Sequence, residues 1–442
     1  MRYKGTMEAT IRHGATRMPV RGILVEVESG TNAGQRATGD DLTIGSAEGS
    51  SLRLADPAVS RFHAELRPAP GGIAVIDHDS TNGTFLGGVR IERAIVPPGS
   101  VLRVGDTTLR VSEAAPLQVE IHGGDSLGGV VGRSPAMRRL MAQVAKAAAS
   151  DVSILVTGET GTGKELVARA LHDLGPRRDR PFVTVDCGSL PPTLIASELF
   201  GHERGAFTGA ERVHVGAFEA AQGGTVFLDE IGELQPAVQA TLLGVLERRR
   251  VRRLGSRNEL PIDVRVVAAT HRDLRAEVNR GGFRLDLFYR LAVVTLTMPA
   301  LRDRPDDIPL LVEHFLRDAG WEQPVASLIS PQAMAALASY HFAGNVRELR
   351  NLVEAAIAMG EAPAVGAAVA ERTRPPADHA SFTTDLAAPY KDARAQLLGE
   401  FEGRYLDALL ARAGGNVSQA ARLAQLARSH LSELIAKRRH QG

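Results

Sequence analysis

Two short strings in this 442-residue chain have residue types and spacing suited to phosphate chemistry. The first, Gly158-Glu159-Thr160-Gly161-Thr162-Gly163-Lys164-Glu165, follows the apolar run SILVT and precedes LVARALHDL. Glycines let backbone N–H groups approach phosphate oxygens, and the following helix turns its positive end toward them. Lys164 can reach the β and γ phosphates. Glu165 stands where such loops usually carry a Mg2+-binding hydroxyl, so the ion must lean on other oxygens. Those oxygens lie in the second string, Val226-Phe227-Leu228-Asp229-Glu230, an apolar strand closing on two carboxylates. Asp229 is expected to hold Mg2+, directly or through water, and Glu230 to polarise the attacking water as general base. The bland alternatives are a ligand-free glycine turn and a helix-capping acid pair. The succession of strand, loop and helix weighs against both.

The elements that must position these groups read as a parallel α/β sheet. Apolar strands at 153–158, 181–187, 224–230 and 264–271 alternate with helical stretches. Upstream, over residues 21–113, short runs such as Ile23, Val25 and Val27 alternate with polar residues between Gly, Pro, Asn and Asp clusters. That pattern predicts an all-β sandwich. Residues 1–20 read as a disordered tail and 114–128 as a linker. The α/β core spans 129–300, and a helical lid follows over 301–360. Residues 361–395, rich in Ala and Pro, read as a second linker, and 396–442 as three short helices.

Composition narrows the class. The net charge is +1, so no global field draws the chain to nucleic acid or membrane, and charge has to be read locally. The last stretch is locally basic, with Arg412, Arg422, Arg428, Lys437, Arg438 and Arg439 against Glu433. The lone Cys187 cannot form an internal disulfide, which fits a reducing cytosol. No apolar run is long enough to span a bilayer, and the N-terminus has no signal-peptide core. A soluble, cytoplasmic protein without membrane contact is expected.

Glu198 to Ala210 reads ELFGHERGAFTGA. Here the chain resembles the AAA+ central domain of sigma-54-dependent activators, the bacterial enhancer-binding proteins, over about residues 130–360. The resemblance implies ATP and Mg2+ as ligands. It also makes Gly205, Ala206, Phe207, Thr208, Gly209 and Ala210 the loop that contacts the sigma-54 factor. The residues suit a mobile hairpin tip presenting an exposed Phe207 to a partner; taken alone, the string reads more readily as a tight turn with its Phe buried. By the same resemblance Thr270 is the first sensor, and Arg284 and Arg290 reach the γ-phosphate of a neighbouring subunit in a ring, as a hexamer would provide. LRDRPDDI and AGNVRELRN belong to the lid, with Arg347 as second sensor. Phe342 and Ala343 stand where the family commonly has Trp-Pro. Asp186 stands where it often has the Asn that restrains the catalytic Glu.

Both flanks carry resemblances of their own. Residues 401–439 resemble the Fis-type helix-turn-helix, which implies Arg428, Ser429 and His430 at base edges and Lys437 and Arg438 at phosphates. A small helical hairpin with a basic tail is the alternative. Ile44-Gly45, Ser60-Arg61-Phe62-His63 and Asp79 to Thr84 resemble a forkhead-associated (FHA) domain. That implies phosphothreonine recognition by Ser60, Arg61, Thr81 and Asn82, with Ser46 replacing an Arg that usually contacts the phosphate. The architecture expected is an FHA sandwich, an AAA+ ATPase with helical lid, and a helix-turn-helix. Such a chain would bind upstream activating DNA as dimers, assemble as a hexamer and remodel the sigma-54 RNA polymerase holoenzyme. A phosphothreonine protein or Ser/Thr kinase would supply its input. An AAA+ remodeller of another substrate, and a phosphopeptide scaffold with an inactive ATPase, are the alternatives. The GAFTGA string disfavours the first, and Lys164, Asp229, Glu230, Arg284 and Arg290 disfavour the second.

Overall fold

A computed structural model describes residues 16–362, 406, 409, 413 and 417–424. The chain divides into two units, Met1–Val365 and Gly366–Gly442.

In the first unit the β region forms two antiparallel sheets. One holds, in spatial order, Arg36–Gly39, Thr16–Ser29, Thr107–Ile121, Ser100–Val104, Thr84–Leu86 and Val89–Ile91. The other holds Leu52–Arg53, Leu42–Gly45, Ala64–Ala69, Gly72–Asp77 and Arg93–Val96, with only the short Leu52–Arg53 edge pairing in parallel. Alternation along the strands has the expected effect: Ile23, Val25 and Val27 turn inward onto Leu66, Val75, Leu109 and Val111 to close a dry core.

Two boundaries differ from the sequence reading. A strand already begins at Thr16, within the stretch read as tail. Its partner strand runs to Ile121, through the first half of the stretch read as linker, with Thr16 opposite Ile121 and Val20 opposite Leu117. A long antiparallel ladder satisfies this backbone without needing a buried face, so hydrophobic patterning marks it poorly. A paired strand therefore joins the sandwich to the α/β core. Just beyond it, the His122 N–H donates to Arg138 O, and Arg138 pairs with Asp125.

The α/β core is a five-stranded parallel sheet in the order Phe182–Asp186, Thr225–Asp229, Arg265–Thr270, Ile154–Thr157, Val294–Thr297. Every residue of Arg265–Thr270 is buried. Arg265 donates to Ala147 O, Ala148 O and Leu171 O at the C-terminal ends of the helices Pro135–Ala148 and Lys164–Asp173, where carbonyls carry partial negative charge. The buried guanidinium thus ties the phosphate-loop helix to the central strand.

The lid is built from Ile308–Asp318, Pro331–Ser339 and Asn345–Met359. Phe342 is fully buried in its core at a φ of 44°, with its ring edge-on to Tyr340 at 4.7 Å. In the second unit the described residues include the helix Val417–Leu423, and Leu406, Leu409, Ala413, Ala420 and Ala421 form a small core. Arg428, Ser429, His430, Lys437, Arg438 and nearly all of the 361–395 stretch lie outside the described residues. Among the described residues, no helix is long and apolar enough to cross a membrane.

Candidate functional site

The phosphate loop leaves the strand Ile154–Thr157 and enters the helix Lys164–Asp173, as its sequence context requires. Gly161 has a φ of 79°, and a Cβ there would lie 2.3 Å from Gly344 O of the lid, so only glycine allows this approach. The lid closes on the loop in several ways. The Arg347 N–H donates to Gly161 O, and Asn345 Nδ2 donates to Glu159 and to Thr160 O. Arg302 grips the Glu159 carboxylate with both nitrogens, holding it at about 2. Thr162 is turned inward, its hydroxyl on Glu159 O, while Glu165 is exposed on the first helical turn. Lys164 Nζ donates to Gly158 O at 3.1 Å and lies 3.6 Å from the Glu230 carboxylate.

Parallel pairing sets Asp186 beside Asp229 at the ends of adjacent strands. Burial and the neighbouring Glu230 push the Asp229 carboxyl up, the response of an acid cluster that a cation would relieve. Asp229 offers the hard oxygen a divalent ion takes, while among the described residues no cluster of three or more His, Cys, Asp or Glu could hold a metal without further ligands. Burial, and then Asp186, Asp229 and Glu230, push the Cys187 thiol up to about 12, leaving it inert. The Asp186 carboxylate accepts the Gly188 N–H at 2.9 Å. The Glu230 carboxylate is held instead by His271, at 2.7 Å from Nδ1 and 3.1 Å from the backbone N–H. Burial alone would raise the Glu230 carboxyl; these bonds and Lys164 outweigh it and hold it below its usual value. Thr270, the predicted sensor, is fully buried and its hydroxyl accepts the Arg272 N–H. His271 does not stand out in the sequence, because only the strand order brings it to Glu230.

Arg284 stands at the N-terminal cap of the short helix Leu285–Leu291 and Arg290 in its last turn, both exposed. Arg284 makes a two-pronged pair with Asp286, and Arg290 donates to Leu246 O.

The Gly205–Ala210 loop is a compact turn, with the Gly205 N–H on Ala210 O at 2.8 Å and Ala206 and Phe207 half-buried. Phe207 is not the exposed tip expected: its ring packs edge-on against His202 at 4.9 Å, and Gly205, Thr208 and Gly209 are the exposed residues. His202, stacked on His214 and bonded to Ser197, supplies the floor of the turn and was not visible as such in the sequence.

In the β domain, Ser60, Thr81 and Asn82 meet at one end. The Thr81 N–H donates to Ser60 Oγ at 3.0 Å, and Asn82 Nδ2 donates to Ala58 O at 2.8 Å. His63 organises them from beneath. Its Nδ1 accepts the Ser60 N–H, so Nε2 carries the proton and donates to Gly83 O. Burial pushes this imidazole down, so it stays neutral. Gly45 is required beside it, since a Cβ would lie 2.0 Å from Arg61 O. Arg61 is exposed, but the next residue, Phe62, is 6% exposed and inserted into the ATPase core against Phe288 at 5.0 Å. Around it, Asn279 bonds Phe62 O and His78 O, Arg280 pairs with Asp79, and Tyr289 donates to Glu48 O. His78 bonds Asp273 at 2.6 Å, and Glu65 pairs with Arg275. This end of the sandwich is thus docked on the segment that follows Thr270 and includes Arg290.

Comparison with known proteins identifies the separate modules. Residues 130–297 match the sigma-54 interaction domain, 302–374 the AAA+ ATPase lid domain, 42–105 the FHA domain, and 397–434 the bacterial regulatory protein Fis family. The chain is 46% identical over 310 residues to the transcriptional regulatory protein ZraR of Salmonella typhimurium, covering 70% of this chain and 68% of that protein. It is 45% identical to GlrR of Escherichia coli over 70% of this chain and 67% of that one. The crystal structure of NtrX from Brucella abortus in complex with ADP superposes with a TM-score of 0.52 at 37% identity, covering 71% of this chain and 69% of that one. The chain belongs to the sigma-54-dependent transcriptional regulators, with an FHA domain ahead of an AAA+ ATPase and a Fis-type helix-turn-helix behind it.

Proposed function

We propose that this protein is a DNA-bound activator that uses ATP hydrolysis to remodel the sigma-54 RNA polymerase holoenzyme, under control of a phosphothreonine-bearing partner. One observation carries the reading. Lys164, Asp229 and Glu230 converge at the strand ends, while Thr208 is exposed on a separate turn. Chemistry and partner contact are thereby divided between two places in one domain.

Gly158 to Glu165 cradle the phosphates, Lys164 supplies their countercharge, and Glu230 takes a proton from the attacking water. Mg2+, when bound, supplies charge neutralisation beside Asp229. Arg347 serves the nucleotide from the lid, and Thr270 stands as first sensor behind it. Arg284 and Arg290 serve the neighbouring subunit of a hexameric ring, where a fixed, forked cation matches phosphate oxygens. Arg428, Ser429, His430, Lys437 and Arg438 read and anchor the upstream DNA, the chain binding there as dimers.

The FHA end supports regulation through its own geometry. Arg61 faces solvent while Phe62 is buried in the ATPase, so one short loop holds a phosphate contact and a docking contact. A phosphopeptide captured by Ser60, Arg61, Thr81 and Asn82 would pull on the segment carrying Asp273 and Arg290. The test is Thr208→Ala in the full chain, with ATP hydrolysis and sigma-54 promoter melting measured side by side. The reading expects hydrolysis to persist and melting to vanish. Melting that survives would remove Thr208 from the contact.

A further inference from the structure

The phosphothreonine end of the sandwich is short of positive charge. Ser46 stands where an arginine would usually meet the phosphate, and of Ser60, Arg61, Thr81 and Asn82 only Arg61 is charged. A phosphate monoester carries about two negative charges near neutrality, and charged donors hold it far better than neutral ones.

The ATPase brings charge to the same end. Asn279 is wedged between the two loops that carry these residues. Its Nδ2 donates to Phe62 O at 2.6 Å and to His78 O at 2.9 Å, and its Oδ1 accepts the Phe62 N–H at 3.4 Å. The next residue, Arg280, ends the helix Leu274–Arg280 and donates through Nε to Asp79, two residues before Thr81. Asp79 meets it from a left-handed backbone with a φ of 54°, which side chains seldom adopt. Arg280 Nη1 reaches Glu277 only at 3.5 Å, and among the described residues Nη2 has no hydrogen-bond partner. On the other side of Phe62, Tyr289 packs at 6.2 Å and donates to Glu48 O, two residues past Ser46. Burial and Glu48 raise the Tyr289 hydroxyl, while Arg53 and Arg61 lie near enough to work against them. ATPase side chains thus flank the Ser60–Phe62 loop on both sides.

We propose that the phosphothreonine pocket is shared across the seam, with Arg280 of the ATPase supplying the cation that Ser46 does not. This rests on the FHA end binding phosphothreonine. A guanidinium can keep Asp79 on Nε and offer Nη2 to a phosphate oxygen. A peptide bound in this way touches both modules, so its phosphate strengthens the seam instead of displacing it. The Arg280 side chain is 56% exposed, so replacing it leaves the core intact.

The test is fluorescence anisotropy with the full chain and a labelled peptide pool holding a fixed phosphothreonine between randomised flanks, beside the same pool unphosphorylated. Arg280→Gln is expected to weaken phosphopeptide binding roughly tenfold, one charge-assisted contact, and to leave the plain pool unaffected. Ser46→Arg supplies the cation from within the sandwich. In that background Arg280→Gln should therefore cost less than about threefold, a non-additive pair. Unchanged affinity in Arg280→Gln overturns the proposal. So does an equal loss in both backgrounds, which would mean that Arg280 acts only by holding the seam. Discrimination that appears only after Ser46→Arg overturns it as well. No preference for the phosphorylated pool, in the parent or in Ser46→Arg, would instead remove the reading beneath it.

Discussion

The tasks proposed for Lys164 and Glu230 are separable, so two truncations should fail differently. Lys164→Ala removes the main charge facing the β and γ phosphates, and titration calorimetry should find nucleotide binding and turnover lost together. Glu230→Ala should bind nucleotide normally yet release phosphate roughly 10²- to 10⁴-fold more slowly, the range of a general base. Ser46 offers a gain instead. Ser46→Arg should tighten phosphothreonine peptide binding by roughly tenfold, one charge-assisted contact, in a peptide titration. Failure to distinguish phosphorylated from plain peptide would leave that end of the sandwich as a docking surface alone. At this scale the sequence was most legible where chemistry is local. The phosphate loop and the Asp229-Glu230 pair are contiguous strings whose neighbours declare their context. His271 and His202 acquire partners only through the fold, and Phe207 reads as a protruding ring until His202 is placed beneath it.

Elements are legible in their periodicity and poorly so at their joints. The parallel sheet and the sandwich follow from runs such as Ile154–Thr157 and from the alternation of Ile23, Val25 and Val27. The ladder through Ile121 and the seam between sandwich and ATPase were not legible, because each is made by partners far apart in the chain. That seam makes a pH-dependent prediction. Buried His78 lies between Glu65 and Asp273, with Asp41, Arg67, Arg93, His271, Arg272 and Arg275 lining the same cleft. Burial works against its charge, but the hydrogen bond to Asp273 and the Glu65 carboxylate 3.6 Å away outweigh this and raise it above 6.5. Glu65 is held at about 2, and Asp273 is also lowered, so both stay ionised near neutrality. Stability from His78 is fully present below pH 6.5 and is lost as pH rises through its raised folded value. The thermal midpoint should therefore fall more from pH 6.5 to 8 in the parent than in His78→Gln. Equal slopes would mean the cluster contributes nothing to docking. Phe62→Ala should loosen the seam at any pH, costing roughly 3–5 kcal/mol for a truncated buried ring.

The whole molecule joins three modules whose individual chemistry explains little without the others. If catalysis is completed between subunits, Arg284→Ala and Lys164→Ala chains, each inactive alone, should recover part of the turnover when mixed into common rings. Only interfaces combining both intact halves would work. Rings shown to be mixed but still silent would exclude a role for Arg284 in trans. The central claim is that hydrolysis in this chain drives opening of a sigma-54 promoter. Its most direct test is fluorescence from 2-aminopurine placed in the start region of a promoter bound by sigma-54 holoenzyme, with the purified full-length chain added. Melting is predicted with ATP, none with a non-hydrolysable analogue, and none with Glu230→Ala despite bound nucleotide. Melting that proceeds equally with the analogue, or no melting while ATP is consumed, would contradict the claim.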